Sequence, residues 1–225
     1  HLRLDYYRFI SESTISFCKM QAEIISKYKK AGDYITTNGM FWNLDNHKMA
    51  EECLDVYTYD SYPSFAFGLN RDPKTAKDLN DRHWSKNLTE VRSIRPHFGI
   101  MEQQSGAGGW TTRMEGPAPR PGQLTLWAMQ SVAHGADYDN RDNRKLAEVK
   151  DFYNKLKCLD EVCGADYTAA FGVLKDYDNM WDTNVDVWHK RVEAQSSEEI
   201  FIASEIYHTP YNTLYLSEDT DIKEL

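Results

Sequence analysis

Nowhere in this sequence do apolar residues run on for the ~20 positions that a membrane-crossing helix needs, so no bilayer span is expected. Basic residues are the minority: 26 Lys and Arg against 35 Asp and Glu leave a net charge of −9. A partner read through its phosphate backbone needs a basic face, so nucleic acid is not expected either. The four cysteines, Cys18, Cys53, Cys158 and Cys163, form no C-x-x-C pair, and no histidine stands at ligand spacing to them. Neither a metal nor another cofactor is therefore expected. The seven histidines form no H-E-x-x-H pattern, and Gly106-x-Gly108-Gly109 neither follows a strand nor opens a helix, which argues against a phosphate cradle. Asp176-x-Asp178-Asn179 lacks the spacing of a calcium loop. No signal-peptide pattern follows His1, and free, mostly buried thiols in a cytoplasmic chain are the plain expectation.

What remains is the chemistry of a folded globular chain, with 41% hydrophobic and 27% charged residues, which excludes disorder and fibre. Its 14 Tyr and 6 Trp are many. Aromatic rings stack on the flat C–H faces of sugars, but they fill a generous core equally well.

Helical and strand patterns alternate along the chain. Phe9, Phe17, Met20, Ile24 and Tyr28 form a stripe in a helix expected over 5–30, with Asp5 as its N-cap and Gly32 at its stop. Strands are expected over 34–37, 56–59 and 98–101, with a short helix over 48–53. A longer helix over 73–94 carries Ala76, Leu79, His83, Leu88, Val91 and Ile94 near one face. The Gly- and Pro-rich stretch 103–122 reads as a loop, and loops of that length are usually functional or mobile. Helical spacing returns at Leu124, Trp127, Ala128 and Val132, then at Leu146, Val149, Phe152, Leu156 and Leu159. This order implies an α/β fold with a parallel sheet and helices outside it. Near Gly164 the character changes to a strand over 167–174 and the acidic, aromatic run Lys175–Trp181, where a domain boundary is expected.

The three earlier strands end in polar residues: Thr37-Asn38, Asp60-Ser61-Tyr62-Pro63 and Glu102-Gln103-Gln104. In (β/α)8 barrels those C-terminal ends share one face and carry the chemistry. Glu102, a carboxylate directly after an apolar strand, is the leading catalytic candidate, against the plainer role of bonding loop amides.

The run Phe98–Gly106, followed by Gly109-Trp110, Pro119–Gly122 and Ala133–Asp137, resembles the nucleophile region of glycoside hydrolase family 42. Thr36–Asn38 with Leu44-Asp45 resembles the family's fifth barrel strand region, and Asp60–Pro63 its sixth. Leu4–Phe9 is similar to the helix after its fourth strand, and Asp176–Trp181 to the opening of its second, Rossmann-like domain. The resemblance implies a partial (β/α)8 TIM barrel over 1–163 and the beginning of a Rossmann-like trimerisation domain over 164–225. It implies retaining hydrolysis of terminal β-galactosides, with β-galactoside sugars as ligands and a homotrimer as the assembly. Glu102 falls on the nucleophile and Trp110 on a tryptophan lining the sugar subsite, while Asn38 and Tyr62 fall near the site.

Two departures accompany the match. The family's acid/base glutamate lies on the fourth strand, which should precede His1, and after Asp137-Tyr138 the sequence passes straight to Asp139–Asn143 without the eighth-strand region. The chain alone is therefore expected to be inactive, with uncovered strand edges and an uncovered apolar face. A non-catalytic sugar-binding or assembly remnant, and a glycosidase for another β-glycoside, remain open as alternatives.

Overall fold

The computed structural model describes residues 2–39, 42–63, 80–105, 109–110, 113–114, 119–136, 154–159, 161, 165–183, 187–217, 220–221 and 223. Contacts divide the chain into two compact units, residues 1–57 with 93–95 and 168–225, and residues 58–92 with 96–167.

The first unit opens with α1 (Leu2–Ser26). Asp5 lies inside this helix and not at its cap. Gly32 sits in a later turn at φ +92, a left-handed conformation that glycine adopts without penalty. The expected stripe is the exposed face of α1: Phe9, Phe17, Met20 and Ile24 are all exposed, whereas Ser11, Ile15 and Ala22 are buried. Periodicity identified a helix with an apolar face but did not say what covers it.

Helix α2 (Asn46–Cys53) begins at Asp45, whose side chain accepts from the Lys48 backbone N–H at 2.9 Å. This satisfies one of the N–H groups that a helix start leaves without a partner. Met49, Ala50 and Cys53 are its buried face. The Asp45 amide donates to Ser11 Oγ at 2.9 Å, and Lys19 pairs with Glu52 at 2.9 Å, which fixes α2 along α1.

No strand forms at 34–37; Asn38 makes only an isolated bridge. The physical reason lies in the Ile35 backbone. Its N–H donates to the Asp55 carboxylate at 2.8 Å, and its carbonyl accepts from the Asp55 and Val56 amides. These are local bonds, not a ladder, and Tyr34 is exposed where a buried strand would cover it.

The tail of the first unit is β5 (Phe171–Asp176), α5 (Tyr177–Thr183), α6 (Val187–Tyr207) and β6 (Tyr211–Leu216). The strand expected over 167–174 thus lies a few residues later. It pairs in parallel with β6 from Phe171↔Tyr211 to Asp176↔Leu216. Aromatic rings line this pair: Tyr215 stacks on Tyr177 at 5.5 Å and on His47 at 5.8 Å, and Phe171 on Tyr211 at 5.6 Å. The Arg8 guanidinium of α1 forks onto the Asp178 carboxylate of α5, with Nε to Oδ1 at 2.9 Å. Such a planar, two-point match is the strong form of an ion pair.

The second unit holds β1 (Thr58–Ser61), α3 (Asn80–Ile94, its last residues belonging to the first unit), β2 (Gly99–Gln103) and α4 (Gln123–Ala133). The expected strands over 56–59 and 98–101 appear one or two residues later, paired in parallel. Leu88, Val91 and Ile94 of α3 are buried as the pattern required. Ala76, Leu79 and the start expected at residue 73 lie outside the described residues, as do the side chain of His83 and most of the helix expected around 146–159. Trp127, Ala128 and Val132 of α4 are buried, and Leu156 packs with the last two. Inside the stretch expected to be a loop, β3 (Gly109–Trp110) pairs antiparallel with β4 (Arg113–Met114).

Candidate active site

Strands β1 and β2 run in parallel, so their C-terminal ends lie together. The register is Thr58↔Gly99 and Tyr59↔Ile100, then jumps to Asp60↔Glu102 and Ser61↔Gln103. Met101 is the residue skipped by this bulge. A bulge bends its strand and re-aims the side chains beyond it. Glu102 is thereby set beside Asp60, with its own side chain exposed at the sheet end.

Tyr62, the first residue beyond β1, donates its hydroxyl to Glu102 Oε2. The hydrogen bond to Glu102, then burial, then the negative charge of Glu102 and of Asp60, push the Tyr62 phenol up to about 12. It therefore remains a donor throughout the physiological range. A protonated phenol on a carboxylate oxygen holds that carboxylate in one orientation.

The strand end is braced from behind. Trp84 Nε1 donates to Ser61 Oγ at 2.9 Å, and the Trp84 ring stacks on Tyr59 at 5.7 Å. The Ser61 carbonyl accepts from the Gln104 amide at 2.8 Å. Ser61 is fully buried and Trp84 nearly so. Sequence reading named neither Ser61 nor Trp84 for this role; a polar residue inside the strand end, with a tryptophan able to reach it from the next helix, was the available signal.

The structure brings two of the expected site residues together, Glu102 and Tyr62. Trp110 has its backbone in β3, and its side chain lies outside the described residues. Asn38 belongs to the first unit. There Gly39 passes so close to the Tyr57 ring that a Cβ would collide with it. Tyr57 is fully buried and donates to Asn46 Oδ1 at 3.1 Å.

Elsewhere in the second unit, Arg92 lies over the Tyr167 ring at 3.3 Å from its centroid, and His134 stacks on the same residue at 6.5 Å. His134 Nδ1 is 2.7 Å from the Gln130 carbonyl. Burial, helped by the positive charge of Arg92, holds the His134 imidazole down at about 4 against the pull of that carbonyl. Among the described residues, no group of three or more His, Cys, Asp or Glu is placed to hold a metal ion, and no helix is long and apolar enough to cross a membrane.

Comparison with known proteins supplies the context for this geometry. The chain is 26% identical over 210 residues to the beta-galactosidase LacZ of Heyndrickxia coagulans, covering 82% of this chain and 30% of that protein. It is 34% identical over 142 residues to the beta-galactosidase BgaA of a Thermus species, covering 60% of this chain and 21% of the relative. Its fold matches a catalytic mutant of Gan42B, a GH42 beta-galactosidase from G. stearothermophilus, with a TM-score of 0.77 at 23% identity over 97% of this chain and 36% of that one. The 225 residues thus span about a third, or less, of the proteins they match. The model of the glycoside hydrolase 42 family, described as beta-galactosidase, matches residues 1–140. With well over half of its length matched to that model, the chain belongs to glycoside hydrolase family 42.

Proposed function

We propose that this chain supplies the nucleophile half of a retaining β-galactosidase, with Glu102 as the nucleophile. The observation carrying this is the Glu102–Tyr62 hydrogen bond at the shared C-terminal end of two parallel strands. In the double displacement, a Glu102 oxygen attacks the anomeric carbon as the glycosidic C–O bond breaks, and a carboxylic acid protonates the departing aglycone oxygen. The same acid, now a base, takes a proton from the water that hydrolyses the glycosyl ester. That second carboxylate must stand about 5 Å from Glu102. This chain covers 30% of the H. coagulans relative, and the chimera described below draws the second carboxylate from the rest of that protein.

Tyr62 is the positioning partner: its phenol keeps one Glu102 oxygen occupied and leaves the other to attack. By resemblance to the family, Trp110 is assigned to the galactose subsite and Asn38 to its surroundings. Residues 1–163 are the second half of a (β/α)8 barrel, and 164–225 begin a Rossmann-like domain through which the complete cytoplasmic enzyme assembles as a trimer. The β5–α5–α6–β6 order supports that last reading, because its strands pair with each other.

A fluorogenic β-galactoside assay tests the proposal on two proteins. One is the 225-residue chain, expected to be silent. The other is the H. coagulans relative with only the segment matching residues 1–137 replaced by these residues, so that its own eighth-strand region is kept, expected to turn over. Turnover by the bare chain, or a folded chimera that binds galactose yet stays inactive, would refute the reading.

A further inference from the structure

Strand β1 presents two faces to two different neighbours. Side chains alternate along a strand, so Tyr59 and Ser61 share one face while Asp60 and the following Tyr62 share the other. The pairing agrees: Asp60 stands beside Glu102, and Tyr62 donates to it. Trp84 of α3 touches both residues of the first face. Its ring stacks on Tyr59, with centroids 5.7 Å and planes 22° apart, and its Nε1 donates to Ser61 Oγ at 2.9 Å. Tyr59, Ser61 and Trp84 are all buried. An indole has a single donor, and Ser61 Oγ is the acceptor that meets it. A displaced strand end would leave that N–H buried without a partner, so the contact resists displacement.

The grip falls where the ladder is interrupted. The register jumps between Tyr59 and Asp60, so the last two residues of β1 lie beyond the irregularity. There Ser61 is held twice. Its carbonyl accepts from the Gln104 amide at 2.8 Å, a bond to the chain that carries Glu102. Its hydroxyl is held by Trp84, from a helix whose Leu88 and Val91 are fully buried. The first bond ties the two strand ends to each other; the second ties them to α3. We propose that Trp84 is a positioning residue for glycoside hydrolysis, acting through Ser61 to keep the Tyr62 hydroxyl on Glu102. The consequence for rate rests on Glu102 being the nucleophile, whereas the coupling of Trp84 to Tyr62 does not. A phenol moved out of reach leaves the carboxylate free to rotate, which slows attack without weakening the hold on galactose.

Two variants break the link from either end. Trp84→Phe keeps an aromatic ring against Tyr59 but removes the N–H, and Ser61→Ala removes the acceptor while leaving the indole in place. The first readout is the Tyr62 phenol in the 225-residue chain, followed by NMR of ring-labelled tyrosine. Its signal is identified by its loss in Tyr62→Phe. In wild type the hydrogen bond to Glu102, more than burial, pushes this phenol up to about 12. It should therefore stay mostly protonated at about pH 11, while in both variants ionisation should move down toward the usual value of about 10. The second readout is the rate of the chimera that carries residues 1–137 in the H. coagulans relative. There Trp84→Phe should lower kcat about 3- to 10-fold with KM nearly unchanged, and should cost nothing further in a Tyr62→Phe background. A purely structural role would lower the melting temperature and leave both readouts unmoved. Ionisation of Tyr62 at the wild-type pH in both variants would overturn the proposal, as would an undiminished loss of rate in the Tyr62→Phe background. A chimera that is silent with Trp84 present counts against the nucleophile reading, and the titration of the 225-residue chain still decides the link from Trp84 to Tyr62.

Discussion

Two short parallel sheets in this chain use tyrosine in opposite ways. At the end of β1–β2 the hydroxyl matters: Tyr62 donates to Glu102 and stays protonated because of it. Along β5–β6 the ring matters: Tyr215 stacks on Tyr177 and on His47, and Lys175 approaches its face at 5.9 Å. The first arrangement fixes a charge in direction; the second adds packing and quadrupole attraction over a wide surface. Removing one oxygen should therefore separate the two sheets, costing rate in one and little in the other.

The largest expected effect is at the carboxylate. Glu102→Gln, in a galactosidase assembled with this chain, should lower kcat by roughly five orders of magnitude, about 7 kcal/mol, with galactose binding and melting temperature nearly unchanged. Steady-state rates with an aryl galactoside decide it, and near-normal turnover would remove Glu102 from the role.

Next comes pH. His134 is held at about 4 in the fold and returns to about 6.5 when unfolded. Below 6.5 the unfolded chain takes up a proton that the folded chain refuses, so stability drops as pH falls from 6.5 towards 4 and is unaffected above that window. The full loss is on the order of 3 kcal/mol. Urea midpoints from pH 7 to pH 4 should fall less steeply in His134→Gln than in wild type; parallel curves would show that the imidazole does not stay neutral.

Tyr62→Phe should then cost about 10- to 100-fold in kcat, the 1.5–3 kcal/mol of a hydrogen bond to a charged group, while stability moves by under about 1 kcal/mol. Tyr215 should give the reverse pattern. Tyr215→Leu loses both stacking partners and should destabilise by about 2 kcal/mol, whereas Tyr215→Phe keeps the rings and should lie within about 1 kcal/mol of wild type. If Tyr62→Phe were instead a pure stability mutant, the contrast between the two sheets would collapse.

The legible part of this fold was the part governed by local pattern. An apolar run ending in a carboxylate predicted β2 with Glu102 at its C-terminal end. What sequence did not yield were the pairings that depend on distant chain. Thr36-Thr37 has the composition of a strand, but Ile35 spends its backbone groups on Asp55 and Val56. The α1 stripe has the period of a buried face and is exposed. Trp84, read only as part of a helix, proved to be the brace behind Ser61. The tyrosine near Glu102 came from resemblance, and no periodicity would have indicated that its hydroxyl reaches the carboxylate.

The skipped Met101 has a consequence for how such a strand can change over time. Side chains alternate with a period of two, so losing or gaining one residue in a regular strand carries everything beyond it to the opposite face. The bulge between Ile100 and Glu102 has already made one such exchange. Upstream, Phe98 is held wholly inside the protein; downstream, Glu102 looks outward. Packing and chemistry on this strand answer to separate registers. Substitutions at Phe98 or Ile100 can drift under selection for fit alone, while a single-residue deletion at Met101 would give the carboxylate a new address without altering its identity.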